Sequence, residues 1–133
     1  MRMHARIVRF LAVSAWDLLL PDMIDKPLKL AQNFYTYFLA TDPREKLELL
    51  REAGGLSDAQ VEELVDALAA EWRTMLPGGR LSDAQRVLLR QLVHCLHSAG
   101  RPSAAANPGE ALRQSLNGSV LARNRQQLAQ VSL

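Results

Sequence analysis

The 133-residue chain is 48% hydrophobic and 23% charged, with 7 Gly, 1 Cys and a formal net charge of +2. That is the length of one domain and the composition of a globular one, which excludes collagen-like, disulfide-scaffold and disordered classes. Without a long uncharged apolar run the chain is no multi-span membrane protein, and its single cysteine, Cys95, points to a reducing compartment, so the expected location is the cytoplasm.

Charge is unevenly spread. Residues 1–30 carry five basic and three acidic side chains, net +2; residues 31–75 carry four and nine, net −5; residues 76–133 carry seven and two, net +5. An acidic middle and a basic C-terminal part can neutralise each other within the fold or between subunits.

Residues 3–20 place Ile7, Val8, Leu11, Ala12, Ala15, Leu18 and Leu19 on one face and Arg2, Arg6, Arg9 and Asp17 on the other, predicting an amphipathic helix ended by Pro21. The three arginines before an apolar stretch have the layout of a secretory signal. Asp17 interrupts that stretch and no small-residue cleavage site precedes Pro21, so a signal is disfavoured. A helix lying on a membrane surface would show the same pattern. Packing of Ile7, Leu11, Leu18 and Leu19 into a bundle is the expected outcome, with the arginines in water.

Pro27 opens a second helix over 27–40, where Leu28, Leu30, Ala31, Phe34, Tyr35, Tyr37, Phe38 and Leu39 make most of the circumference apolar. It is predicted to be the central, most buried helix, since aromatic residues at helical spacing are more often core than a ligand pocket. Asp42, Pro43 and Glu45 start a third helix running to about Ala53, where Gly54-Gly55 stops it in the left-handed conformation that glycine adopts cheaply.

Leu56-Ser57-Asp58-Ala59-Gln60 recurs as Leu81-Ser82-Asp83-Ala84-Gln85. Each copy reads as a helix start: serine caps the free amides, glutamine three residues on reaches back, and aspartate favours the positive helix end. The fourth helix carries Val61, Leu64, Val65, Leu68, Ala69, Trp72 and Leu76 on one stripe until Pro77-Gly78-Gly79, with Leu64, Leu68 and Trp72 expected against Phe34 and Phe38. The fifth spans 83–98, with Leu88, Leu89, Leu92, Cys95, Leu96 and Ala99 inward, and Gly100 stops it. Asn107, Pro108 and Glu110 start a sixth, which Asn117-Gly118 breaks, and Ser119 can cap a last helix to about Val131. The fold class is therefore all-α, a single bundle of six or seven short helices over 1–118, with residues 119–133 as a C-terminal helix at an interface.

Signals for chemistry are sparse. His94 and His97 share a helix face beside Cys95, the residue types that bind zinc, but helical geometry turns Cys95 toward the apolar stripe and no third ligand is evident. Leu76-Pro77-Gly78-Gly79-Arg80 between the repeats supplies no carboxylate for a calcium loop. No nucleophile elbow or phosphate loop occurs, and Glu62, Glu63, Asp66 and Glu71 read as a solvated helix face. Neither an enzyme nor a cofactor is expected. Arg113, Arg123 and Arg125 in an acid-free C-terminal stretch make nucleic acid the alternative partner, without the aromatic interleaving such surfaces use.

The leading expectation is a small adaptor, assembly factor or regulator acting through protein–protein contacts, with a protein partner or a second copy of itself and with membrane disfavoured. The expected interface is the C-terminal stripe Val120, Leu121, Leu128 and Val131, with Asn124 inside it and Arg125 beside it. So short an amphipathic helix cannot stand alone in water, and a polar Asn in an apolar seam sets register between paired helices.

Overall fold

A computed structural model describes residues 4–101 and 107–119, and among these there are α-helices and 3-10 turns but no strand. The helices are α1 (Ala5–Ser14), α2 (Pro27–Ala40), α3 (Pro43–Gly54), α4 (Asp58–Trp72), α5 (Asp83–Ala99) and α6 (Pro108–Asn117). The all-α architecture read from the sequence is the architecture observed. The seventh helix expected over 119–131 lies outside the described residues apart from Ser119, whose hydroxyl donates to the Leu116 carbonyl at 2.6 Å and so helps close α6.

The helix starts follow from local chemistry. The Asp42 carboxylate accepts from the Arg44 and Glu45 amides at 3.1 and 3.2 Å, and the Asn107 side chain accepts from the Glu110 amide at 3.1 Å. Both repeats form complete capping boxes: Ser57 pairs reciprocally with Gln60, and Ser82 with Gln85. Each satisfies amides that a helix start leaves without partners. Gln85 does more, because it is buried and its amide also donates to the Leu18 carbonyl at 3.1 Å, far away in sequence.

That contact bears on the first departure from the sequence reading. The N-terminal amphipathic stretch is two pieces, α1 and a 3-10 turn over Trp16–Leu19, followed by a second 3-10 turn over Pro21–Asp25. The Asp17 carboxylate accepts a hydrogen bond from the Asn33 side chain, and Gln85 takes the Leu18 carbonyl. These two distant partners hold the tighter turn. The change of winding still buries Leu18 and Leu19, while Ala12, expected inside, is exposed and Phe10 is buried instead. Ile7 and Leu11 are fully enclosed, so the apolar face of α1 belongs to the bundle core.

The centre of the fold is α5, not α2. It packs on α3, α4, α6 and both N-terminal 3-10 turns, whereas α2 packs on α1, α6 and the second turn. Lys29, Gln32, Asn33 and Thr36 keep one side of α2 toward water, and Tyr37 stays 50% exposed with them. Leu64, Leu68 and Trp72 are buried as expected, but α4 lies chiefly against α5. Phe34 and Phe38 are met from α1 by Phe10, edge to face, with centroids 5.4 and 6.1 Å away. Helix α4 also ends earlier than expected, with 3-10 turns over Arg73–Met75 and Pro77–Gly79.

The Gly54-Gly55 pair does not end α3 by the left-handed conformation expected of it. Gly55 and Gly100, the residues just past the helices, have right-handed dihedrals, and of the glycines only Gly78 and Gly79 have positive φ. Gly54 and Gly100 instead mark a backbone crossing of α3 and α5. A Cβ on Gly54 would overlap the Gly100 carbonyl, and one on Gly100 would overlap the Leu50 carbonyl.

Ion pairs distribute the charge as complementary surfaces within the fold. Arg6 of α1 donates to Glu45 at 2.8 Å and approaches Glu52 at 3.6 Å, joining α1 to α3. Arg90 donates to Glu62 at 2.8 Å and Arg86 pairs with Asp66, joining α5 to α4. The acidic middle is thus partly neutralised from both sides. These exposed pairs orient helices more than they stabilise them.

Three outcomes test this packing by urea unfolding. Replacing Leu68 with Ala should cost about 2–5 kcal/mol, the range for a buried leucine. Gly54→Ala or Gly100→Ala should cost about 3 kcal/mol or more, because backbone meets backbone and neither side can yield. Gly55→Ala, where a Cβ would find only ordinary contacts, should stay within about 1 kcal/mol of wild type.

Candidate protein-binding surface

The residues nominated from sequence fall into three groups. Val120, Leu121, Arg123, Asn124, Arg125, Leu128 and Val131 lie outside the described residues. Arg113 sits on α6 with its guanidinium on Glu110, Nε donating to one carboxylate oxygen at 2.9 Å and a terminal nitrogen to the other. That pair holds the Glu110 carboxyl below its usual range and raises Arg113. The arginine is therefore engaged along its own helix.

His94 and His97 part company. The His97 ring nitrogen Nδ1 lies 2.9 Å from the Ala53 carbonyl, tying α5 to the end of α3. His94 lines a shallow pocket of about 340 Å³ with Gln91, Cys95, Ser98, Ser115, Gly118 and Ser119. Among the described residues no three His, Cys, Asp or Glu side chains are grouped to hold a metal ion. Cys95 is buried, its thiol donating to the Ser115 carbonyl at 3.6 Å, and burial pushes its pKa from 9.0 up to about 11 despite a hydrogen bond from Ser119.

A different surface emerges where the N-terminal segment meets α2. The Asp17–Asn33 hydrogen bond ties the Trp16–Leu19 turn to α2. Trp16 precedes Asp17 and is 49% exposed, Leu20 follows it by three residues and is also exposed, and Val13 stands on the last turn of α1 in the open. On the other side, Thr36 and Tyr37 follow Asn33 by about one helical turn. Asp17, Asn33, Thr36, Tyr37 and Ala40 line a groove of about 390 Å³. The remaining exposed large apolar residues, Leu47, Met75 and Val87, sit one each on α3, the Arg73–Met75 turn and α5.

Sequence reading missed this surface because it assigned Tyr37 to the core and gave Trp16 no place in the first stripe. The signal was present. Continuing the period of Ile7, Leu11, Leu18 puts Trp16 off the apolar face, and Lys29, Asn33 and Thr36 share an α2 stripe with Tyr37.

Comparison of the chain with protein-family models, with curated proteins and with solved structures finds no match. No helix among the described residues is long and apolar enough to cross a membrane.

The Cys95 environment gives a direct measurement. A buried thiol with a raised pKa holds little thiolate at neutral pH, so labelling by a disulfide reagent should be slow in the folded protein and fast in denaturant. Because the folded pKa is raised, the stabilising contribution is complete below the unfolded thiol's value and is lost as pH climbs through the range from 9.0 to about 11. Cys95→Ala should make the alkaline decline in stability shallower.

Proposed function

We propose that this chain is a small helical protein-binding module, an adaptor, assembly factor or regulator working in the cytoplasm without catalytic chemistry, and that its partner docks on the face carrying Trp16 and Tyr37. The observation that carries the reading is the half-exposure of an indole and a phenol on two elements fixed to each other by the Asp17–Asn33 hydrogen bond. Large rigid rings supply contact area at low entropic cost and dominate protein-interface energetics. A scaffold whose two sides are already joined loses little freedom when a partner arrives. The exposed polar residues Lys29 and Gln32 of α2 provide the wet edge such a patch needs. The C-terminal stripe of Val120, Leu121, Asn124, Arg125, Leu128 and Val131 is a second contact of the same kind, resting on its sequence pattern alone.

The partner is to be recovered by co-purification from the native host, identified, and its affinity measured against variants. Trp16→Ala and Tyr37→Ala should change folding stability by only about 0.5 kcal/mol, as exposed positions do, and weaken binding by about 2 kcal/mol each. A partner that binds both variants as tightly as wild type would move the interface elsewhere. Truncation after Asn117, with mass read by light scattering, separates the C-terminal contact from this one.

A further inference from the structure

We infer that the groove between the Trp16–Leu19 turn and α2 receives a cationic side chain, an arginine or lysine, presented by an otherwise apolar segment of the partner protein. The inference rests on the docking face proposed above and specifies the chemistry at its middle. Asp17 is the one charged residue among the five that line the groove. Its Oδ2 accepts from the Asn33 amide, which fixes the carboxylate's direction and leaves Oδ1 without a partner among the described residues.

No cation among the described residues pairs with Asp17. Lys29, one turn before Asn33 on α2, forms no ion pair with it. On α1, Arg6 is spent on Glu45 and Glu52, and Arg9 lines a separate small pocket with Phe10, Thr41 and Leu49. Elsewhere the fold supplies an arginine to the acids at its helix contacts: Glu45, Glu52, Glu62 and Asp66 each hold one. Asp17 is half-buried, sits at such a contact and, among the described residues, has only the neutral Asn33.

Covering the face with a purely apolar partner would strip water from this carboxylate and give nothing in return, a strongly unfavourable arrangement. A guanidinium or ammonium removes that penalty and gains a charge-assisted bond. The surroundings suit it. The exposed Tyr37 ring offers a face for a cation, the Thr36 hydroxyl a further acceptor, and Ala40 leaves room beside them. Trp16, Leu20 and Val13, exposed on the N-terminal segment that carries Asp17, are the apolar side chains offered to the neighbours of the cation.

Selection of random peptides displayed on phage against the folded wild-type chain tests this. Enriched peptides should place an arginine or lysine beside apolar residues, and their binding should weaken with rising salt. Asp17→Asn keeps an oxygen to accept from Asn33 while removing the charge, and should weaken binding about tenfold. Replacing the peptide's basic residue by norleucine should produce a similar loss on the unaltered protein, which does not depend on any variant folding. Peptides that need Trp16 or Tyr37 yet carry no basic residue, or bind Asp17→Asn equally well, would overturn the cation site and leave the docking face standing. Failure to enrich any peptide dependent on Trp16 or Tyr37 would overturn both.

Discussion

Among the described residues, backbone meets backbone at two residues without side chains. Where α3 and α5 cross, Gly54 and Gly100 stand so near that a methyl group on either would occupy a backbone carbonyl of the other helix. Contact at that distance fixes where the end of α3 lies on α5. The His97 ring can then reach the Ala53 carbonyl, and Leu50 and Ala53 enter the core beside Leu96 and Ala99. Since α5 also supports α4, α6 and the N-terminal turns, an error at this crossing would propagate to every layer. The charged pairs that join α1 to α3 and α4 to α5 lie at the periphery and refine an arrangement that backbone proximity has already set.

Around that crossing the chain uses side-chain hydrogen bonds to solve a recurring problem, the unpaired polar groups at element ends. Asp42, Ser57, Ser82 and Asn107 satisfy helix starts, and Ser119 helps close α6. The same device, used between elements, shapes the candidate binding face. Asn33 on Asp17 ties the Trp16–Leu19 turn to α2, and within that turn Trp16 stays outside while Leu18 and Leu19 go in.

What was legible in the sequence was whatever depends on neighbours. The all-α class, the four capped starts and the inward residues of α4 and α5 follow from patterns a few residues long. The early end of α1 was not legible, because the groups that cause it, Asn33 and Gln85, come from far along the chain and an amphipathic stripe continues through the turn regardless. The left-handed stop expected at Gly54-Gly55 was misread, and the crossing at Gly100 was not foreseen, for the same reason: a glycine after a helix looks alike whether it serves a left-handed cap or a crossing. Tyr37 was placed inside because apolar residues around a whole helix imply burial on all sides, and only the position of α5 shows that α2 lies at the margin. The outward placement of Trp16 and of the Tyr37 stripe could be read from the period, but the Asp17–Asn33 contact that joins them could not.

The twin motifs illustrate how identical letters acquire unequal freedom. At position 60 the side chain has one task, to accept from the Ser57 amide, and a glutamate would do that as well as the glutamine present. At position 85 the side chain accepts from the Ser82 amide with its oxygen and donates to the Leu18 carbonyl with its nitrogen, in a buried place. An ionised carboxylate has no hydrogen to donate and would set its charge against that carbonyl. The first copy can therefore drift between glutamine and glutamate without consequence, while the second is restricted to the one side chain that carries both an acceptor and a donor at that reach.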